Sequence, residues 1–190
     1  MQEKIKEQIL ASASMKEAMV ISCTEDIESA ANLMIHSIQN SGKILWCGNG
    51  GSAGDAQHLA TELMGGMTSH ERKPIPSIAL TTDSSFITAW SNDTDFESIF
   101  SRQVQGLGLE GDVLVGISTS GNSKNVIAAI NQAKYKGLKT VVFTGKFGGM
   151  INNKADVTIN VPSDDTQRIQ EGHIMMGQII CGLIEDDFLS

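Results

Sequence analysis

Cysteine is scarce in this chain: Cys23, Cys47 and Cys181 are the only three in 190 residues, and no two of them form a C-x-x-C pair. So sparse and odd a count excludes a disulfide framework and fits a reducing compartment, which makes a cytoplasmic protein the expectation. Long apolar runs are missing too. No stretch approaches the ~20 apolar residues that cross a bilayer. The opening MQEKIKEQIL carries charges where a secretion signal needs an apolar core. Nor is there a basic excess: 14 Lys and Arg against 22 Asp and Glu give a net charge of −8, which excludes a general binder of nucleic-acid backbone. A small phosphorylated ligand stays compatible, because a pocket needs local donors rather than a basic surface. Low-complexity segments, linkers and strong repeats are absent as well. A chain of this length fits one domain, since domains commonly run about 100–200 residues.

What is present changes character near residue 42. Residues 2–20 read as an amphipathic helix, with Ile5, Ile9, Met15, Met19 and Val20 on its apolar face. Thr24 can cap a second helix carrying Ile27, Ala30, Ala31, Met34, Ile35 and Ile38, which Gly42 ends. Beyond it, short apolar strands (43–47, 75–80, 111–118, 138–145, 155–162) alternate with helical stretches (52–65, 84–91, 95–106, 122–136, 166–187). That alternation predicts an α/β three-layer sandwich on a five-stranded parallel sheet. Right-handed crossovers place every strand's C-terminal end on one edge. The organisation expected is one domain, with helices over 1–41 and an α/β core over 42–190.

Two loops on that edge are unusual. GNGGS (48–52) follows a strand and opens a helix, and Gly48, Gly50 and Ala53 satisfy the dinucleotide pattern G-x-G-x-x-G/A. The acidic partner that pattern needs about 20 residues on is missing; Asp83 comes later. A tight turn that needs glycine for its backbone explains the loop as well. The second loop, ISTSGNS (117–123), gathers Ser118, Thr119, Ser120 and Ser123 before a helix, without the G-K-[ST] of a nucleotide P-loop. Capping explains one hydroxyl, not four, so an anion site built from hydroxyls and helix N–H groups is the better reading. Sharing one edge, the two loops can face one ligand.

On the helix after the first loop, His58 and Glu62 stand at i and i+4 and share a face. Such a pair serves as a metal site, as acid–base machinery or as a solvated helix contact, and the spacing alone does not choose. Asp55, three residues earlier, fits either an acceptor that orients His58 or an ordinary first-turn acid. Trp46 and Trp90 read as core or interface, and Glu185 to Asp187 as a solvated acidic end.

With these residues in view, the chain resembles the SIS (sugar isomerase) domain and, within it, the sedoheptulose 7-phosphate (phosphoheptose) isomerases. The stretches that carry the resemblance are CGNGGSAGDAQHLATE, ALTTDSSFITAWSND, GDVLVGISTSGNSKNV, FTGKFGGM and VPSDDTQRIQEGHI, in that order along nearly the whole chain. The resemblance implies a flavodoxin-like SIS fold and a cytoplasmic homotetramer with sites at subunit interfaces, to which the N-terminal helices contribute. It implies conversion of sedoheptulose 7-phosphate to D-glycero-D-manno-heptose 7-phosphate, a precursor of lipopolysaccharide heptose. It assigns Asn49, Gly50, Gly51 and Ser52, Asn92 and Asp93, Ser118, Thr119, Ser120 and Ser123, and Gln170 to substrate binding, and Glu62 to the catalytic base. It also implies one zinc per subunit, for which His58, Glu62 and Gln170 match three of four ligands.

The fourth family position, catalytic and zinc-binding, is a histidine; here it is Gln178. A carboxamide exchanges no proton near neutral pH and is a poor zinc ligand, so zinc binding is expected to be weak or absent. His173 lies on the same helix about 60° from Gln170 in the direction opposite to Gln178, and it reads as a packing residue. The alternative is a non-catalytic tetramer like the initiator-associating relative of this fold, whose partner is the replication initiator protein; direct nucleic-acid and membrane binding are not expected. The retained His58–Glu62 pair ranks the isomerase first.

Overall fold

The computed structural model describes residues 1–189. Its elements run α1 (Gln2–Ser22), α2 (Thr24–Gln39), β1 (Ile44–Gly48), α3 (Gly51–Gly65), β2 (Ser77–Ala79), α4 (Ser84–Asp93), α5 (Ile99–Leu107), β3 (Val113–Ile117), α6 (Lys124–Tyr135), β4 (Lys139–Gly145), β5 (Val157–Val161) and α7 (Thr166–Leu189), with a 3-10 turn at Gly149–Ile151. The five strands are all parallel, in the order β2-β1-β3-β4-β5. This is the flavodoxin-like order, and its switch point lies between β1 and β3.

The period-two alternation of each strand divides the core into two layers. Ile44, Trp46, Val113, Val115, Ile117, Val141 and Phe143 face α1, α2, α3 and α7. Leu45, Cys47, Leu114 and Val142 face α5 and α6. Both faces of the central strands are therefore covered, which is why β1 and β3 read as unbroken apolar runs. Trp46 is fully buried and donates its indole N–H to Ser77 Oγ at 2.8 Å. The three cysteines are all buried free thiols. Among the described residues, no helix is long and apolar enough to cross a membrane.

Two expectations about packing need correction. On α1 only Met15 and Met19 are buried, while Ile5, Ile9 and Val20 are exposed. The six-residue step from Ile9 to Met15 turns the helix face by about 240°, so the five residues never shared one stripe. The edge strand β2 is shorter than 75–80, because Pro74 and Pro76 flank Ile75 and supply no ladder N–H.

The helices α3 and α7 run side by side in the same direction. Gly177 makes this possible: a Cβ there would come within 2.5 Å of Leu59. The neighbouring pairs along the seam are Gln170 beside Gly51, Gly177 beside Leu59, Gln178 beside Glu62, and Glu185 beside residues 67–69.

Candidate active site

The two small-residue loops leave adjacent strands at the same level, since Gly48 pairs with Ile117 across β1 and β3. They are tied together there. Asn49 and Asn125 exchange a reciprocal pair of amide hydrogen bonds, each 2.8 Å, and Asn125 Oδ1 also accepts the Val126 N–H. Asn125 was not among the residues singled out above; its signal was a second asparagine just past the hydroxyl loop. The pairing occupies the Asn49 side chain, so this turn offers a ligand chiefly backbone, with Gly50 (φ 56°) before α3.

In the hydroxyl loop Ser118 is buried and donates to Ser123 Oγ at 3.0 Å, and Ser120 Oγ accepts the Asn122 N–H at 3.2 Å. Ser123 stands at the N-cap of α6, yet its side chain caps nothing. Its hydroxyl accepts from Ser118 and keeps its own proton to donate, which beside a helix N-terminus suits an anion. The loops open on separate cavities within one chain. The first borders about 160 Å³ with Ala53, Thr81 and Phe96; the second borders about 170 Å³ with Lys146, Ser163 and Thr166. The expectation that both turns face one cavity therefore holds for their position on the edge, not for a shared pocket in a single chain. Ser52 is buried beneath the first turn. Asn92 and Asp93 are exposed at the end of α4, where Asn92 donates to Asp93 at 2.8 Å.

Three turns down α3, a second cluster forms on the seam with α7. Glu62 Oε1 accepts from His58 Nε2 at 2.9 Å and from the Gln178 amide at 3.1 Å. The side chain of His58 is half exposed, whereas that of Glu62 is 13% exposed, and Glu62 Oε2 is buried without a hydrogen-bond partner. Asp55 lies on the same stripe; its carboxyl is pushed up to about 6 by burial, against the pull of His58, and its Oδ2 has no partner. Gln170 does not join the cluster. Its carboxamide packs on Gly51, and any side chain at 51 would collide with it. His173 is a packing residue: it is fully buried against Phe143, and its Nε2 bonds the Thr144 carbonyl at 3.2 Å. Burial brings its pKa down to about 4, with the Thr144 bond opposing, so the ring is neutral at ordinary pH.

Beneath this cluster sits a carboxylate that the sequence reading placed in solvent. Glu185 is buried, not solvated: it accepts the Met67, Thr68 and Ser69 N–H groups and Arg72 Nε at 2.8 Å. Burial alone would push its carboxyl up, but the Arg72 and backbone donors together bring it down to about 2. Arg72 also donates to the Glu62 and Leu63 carbonyls, at 2.9 and 2.8 Å, and so fixes the end of α3. Nothing in ERKP (71–74) signals this role, because the partner lies over a hundred residues away.

A zinc ion would need several strong ligands. Of the four positions that resemble a zinc set, His58, Glu62 and Gln178 meet while Gln170 lies apart on Gly51. Only an imidazole and a carboxylate remain as strong ligands, and they are bonded to each other. Among the described residues, no three His, Cys, Asp or Glu are placed to hold a metal. Within one chain, the residues do not fit a resident zinc.

The fold has close counterparts. The SIS domain family matches residues 9–145. A phosphoheptose isomerase of Helicobacter pylori (strain Shi470) is 48% identical over 184 residues, 97% of this chain and 95% of the relative. The structure of a phosphoheptose isomerase from Neisseria gonorrhoeae superimposes with a TM-score of 0.90 at 43% identity, covering 97% of this chain and 98% of that one. One from Francisella tularensis gives 0.94 at 37% identity, with the same coverage. With a family model over residues 9–145, 48% identity over nearly its whole length and close superposition on solved relatives, this chain belongs to the phosphoheptose isomerase family of SIS-domain proteins.

Proposed function

We propose that the protein is an isomerase that converts sedoheptulose 7-phosphate to D-glycero-D-manno-heptose 7-phosphate, a precursor of lipopolysaccharide heptose. One observation carries the reading. Glu62 is a largely buried carboxylate with one oxygen held by two donors and the other without a partner. A scaffold that only binds a replication initiator has no use for such a group.

The chemistry needs little more than a placed base. Glu62 Oε2 takes a proton from C1 of the ketose. The C1–H electrons form the C1=C2 bond while the C2 oxygen takes a proton from water, giving an enediol. Glu62 returns a proton to C2 as the O1 hydroxyl gives its own to water and the C1 aldehyde forms. General base catalysis of this kind contributes about 10²–10⁴-fold. The phosphate, held by Ser118, Thr119, Ser120 and Ser123 at the start of α6, orients the chain for that transfer.

Glu62 lies eleven residues beyond Gly51, about 16 Å along α3, so the hydroxyl loop and Glu62 of one chain face different stretches of surface. This offset supports a site completed by a neighbouring copy in a homotetramer. Exposed apolar residues on α1, Ile5, Ile9, Leu10, Val20 and Ile21, supply a surface for such contacts; light scattering in solution should give four chains. The deciding experiment is incubation with sedoheptulose 7-phosphate in deuterated water, followed by NMR. Aldoheptose product is expected, with deuterium at C2 to the extent that the Glu62 proton exchanges with solvent before its return. No product, together with capture of the replication initiator, would reverse the reading.

A further inference from the structure

Gln178 holds the position where the family's pattern has a metal-binding, proton-exchanging histidine, and its side chain is not idle. A carboxylate only accepts, so the end of the amide facing Glu62 is its nitrogen, and the bond to Oε1 is a charge-assisted donation. His58 Nε2 donates to the same oxygen. The two donors come from different helices, α3 and α7, whose spacing is fixed by Gly177 against Leu59. One carboxylate oxygen is thus pinned from both sides, and the other, Oε2, is left buried with nothing bonded to it.

Resting on the isomerase reading above, we infer that Gln178 is a positioning residue that replaces a metal: with His58 it fixes Glu62 through Oε1 and leaves Oε2 to carry the proton, in an isomerase with no resident zinc. A metal at this place would have to displace one or both donors from Oε1 and then find a third strong ligand, and Gln170, turned onto Gly51, is not placed as one. The amide does one part of a metal's work, holding the base in a single orientation, and it does so without titrating.

The test uses the full-length protein, dialysed against a chelator, with two readouts. Calorimetric zinc titration should show no tight stoichiometric site in the unmodified chain. Gln178→His supplies a second imidazole beside His58 and Glu62 and should tighten zinc binding by at least about 10-fold. Turnover of the unmodified chain should be the same before and after the chelator. Gln178→Met keeps length and volume but removes the donor, and should lower kcat about 10- to 100-fold with KM unchanged, the split expected for a lost hydrogen bond to the base. One tight zinc per chain, with turnover abolished by the chelator and restored by zinc, would overturn the inference. So would a Gln178→Met enzyme with full kcat. If the unmodified chain turns over no heptose phosphate, the isomerase reading fails, while the zinc titration still judges the metal-free arrangement. A Gln178→Met chain that does not fold leaves that same titration to decide.

Discussion

Glu62 and Glu185 lie one behind the other along the seam of α3 and α7, and they are held in opposite ways. Glu185 has both oxygens filled, by three backbone N–H groups and an arginine, and its carboxyl is held far below the ordinary 4.5. Glu62 has donors on one oxygen and none on the other. A carboxylate whose acceptor sites are all taken has no lone pair to offer a substrate proton. One with a fixed half and an unpaired half has an orientation and a lone pair left for a proton. The two acids are also linked: Arg72, the partner of Glu185, donates to the backbone carbonyl of Glu62. The lower carboxylate thereby holds the helix end from which the upper one works.

The sharpest way to break this comparison is to remove each acid in turn. Glu62→Gln should cost about 10²–10⁴-fold in kcat and leave the urea midpoint almost unchanged. Glu185→Gln should do the reverse in kind. It leaves Arg72 buried without its anion and should cost about 3–5 kcal/mol of unfolding free energy, read from the same urea curves. If Glu62→Gln proved the destabilising variant, the division of roles would be wrong.

A gentler version uses pH. The folded pKa of Glu185 is depressed, so its stabilisation is complete above the ordinary 4.5 and fades as pH falls toward 2. Urea midpoints of the unmodified protein should therefore drop across that window, and in Glu185→Gln the drop should be smaller. The smallest effect belongs to the sheet edge. Ser120 is exposed at the hydroxyl loop, and Ser120→Ala should raise KM by about 5-fold, the worth of one hydrogen bond of ~1 kcal/mol. Its kcat should stay put, in contrast to Glu62→Gln.

Much of the fold was legible because its signals are local. Strand-length apolar runs separated by helical periodicity gave the five strands and the α/β class, and α7 begins where it was expected. The loops were legible for the same reason: glycine and hydroxyl clusters are short in sequence. The α1 stripe misled, since the spacing of Ile5 and Ile9 is out of phase with that of Met15 and Met19. Glu185 misled because an acidic helix end looks the same in sequence whether it faces water or the N–H groups of residues 67–69.

The sequence by itself determined which residues could act: the His58–Glu62 pair on one helix face, the four hydroxyls before α6, and a glutamine rather than a histidine at 178. Those are matters of chemical identity and of spacing within one element. Only the tertiary structure decided what each of them touches. It turned Gln178 onto Glu62, Gln170 onto Gly51 and Asn49 onto Asn125, and it buried Glu185 against Arg72. Partners such as these are separated by tens to more than a hundred residues, and they meet only because the sheet order and the close α3–α7 packing bring them together.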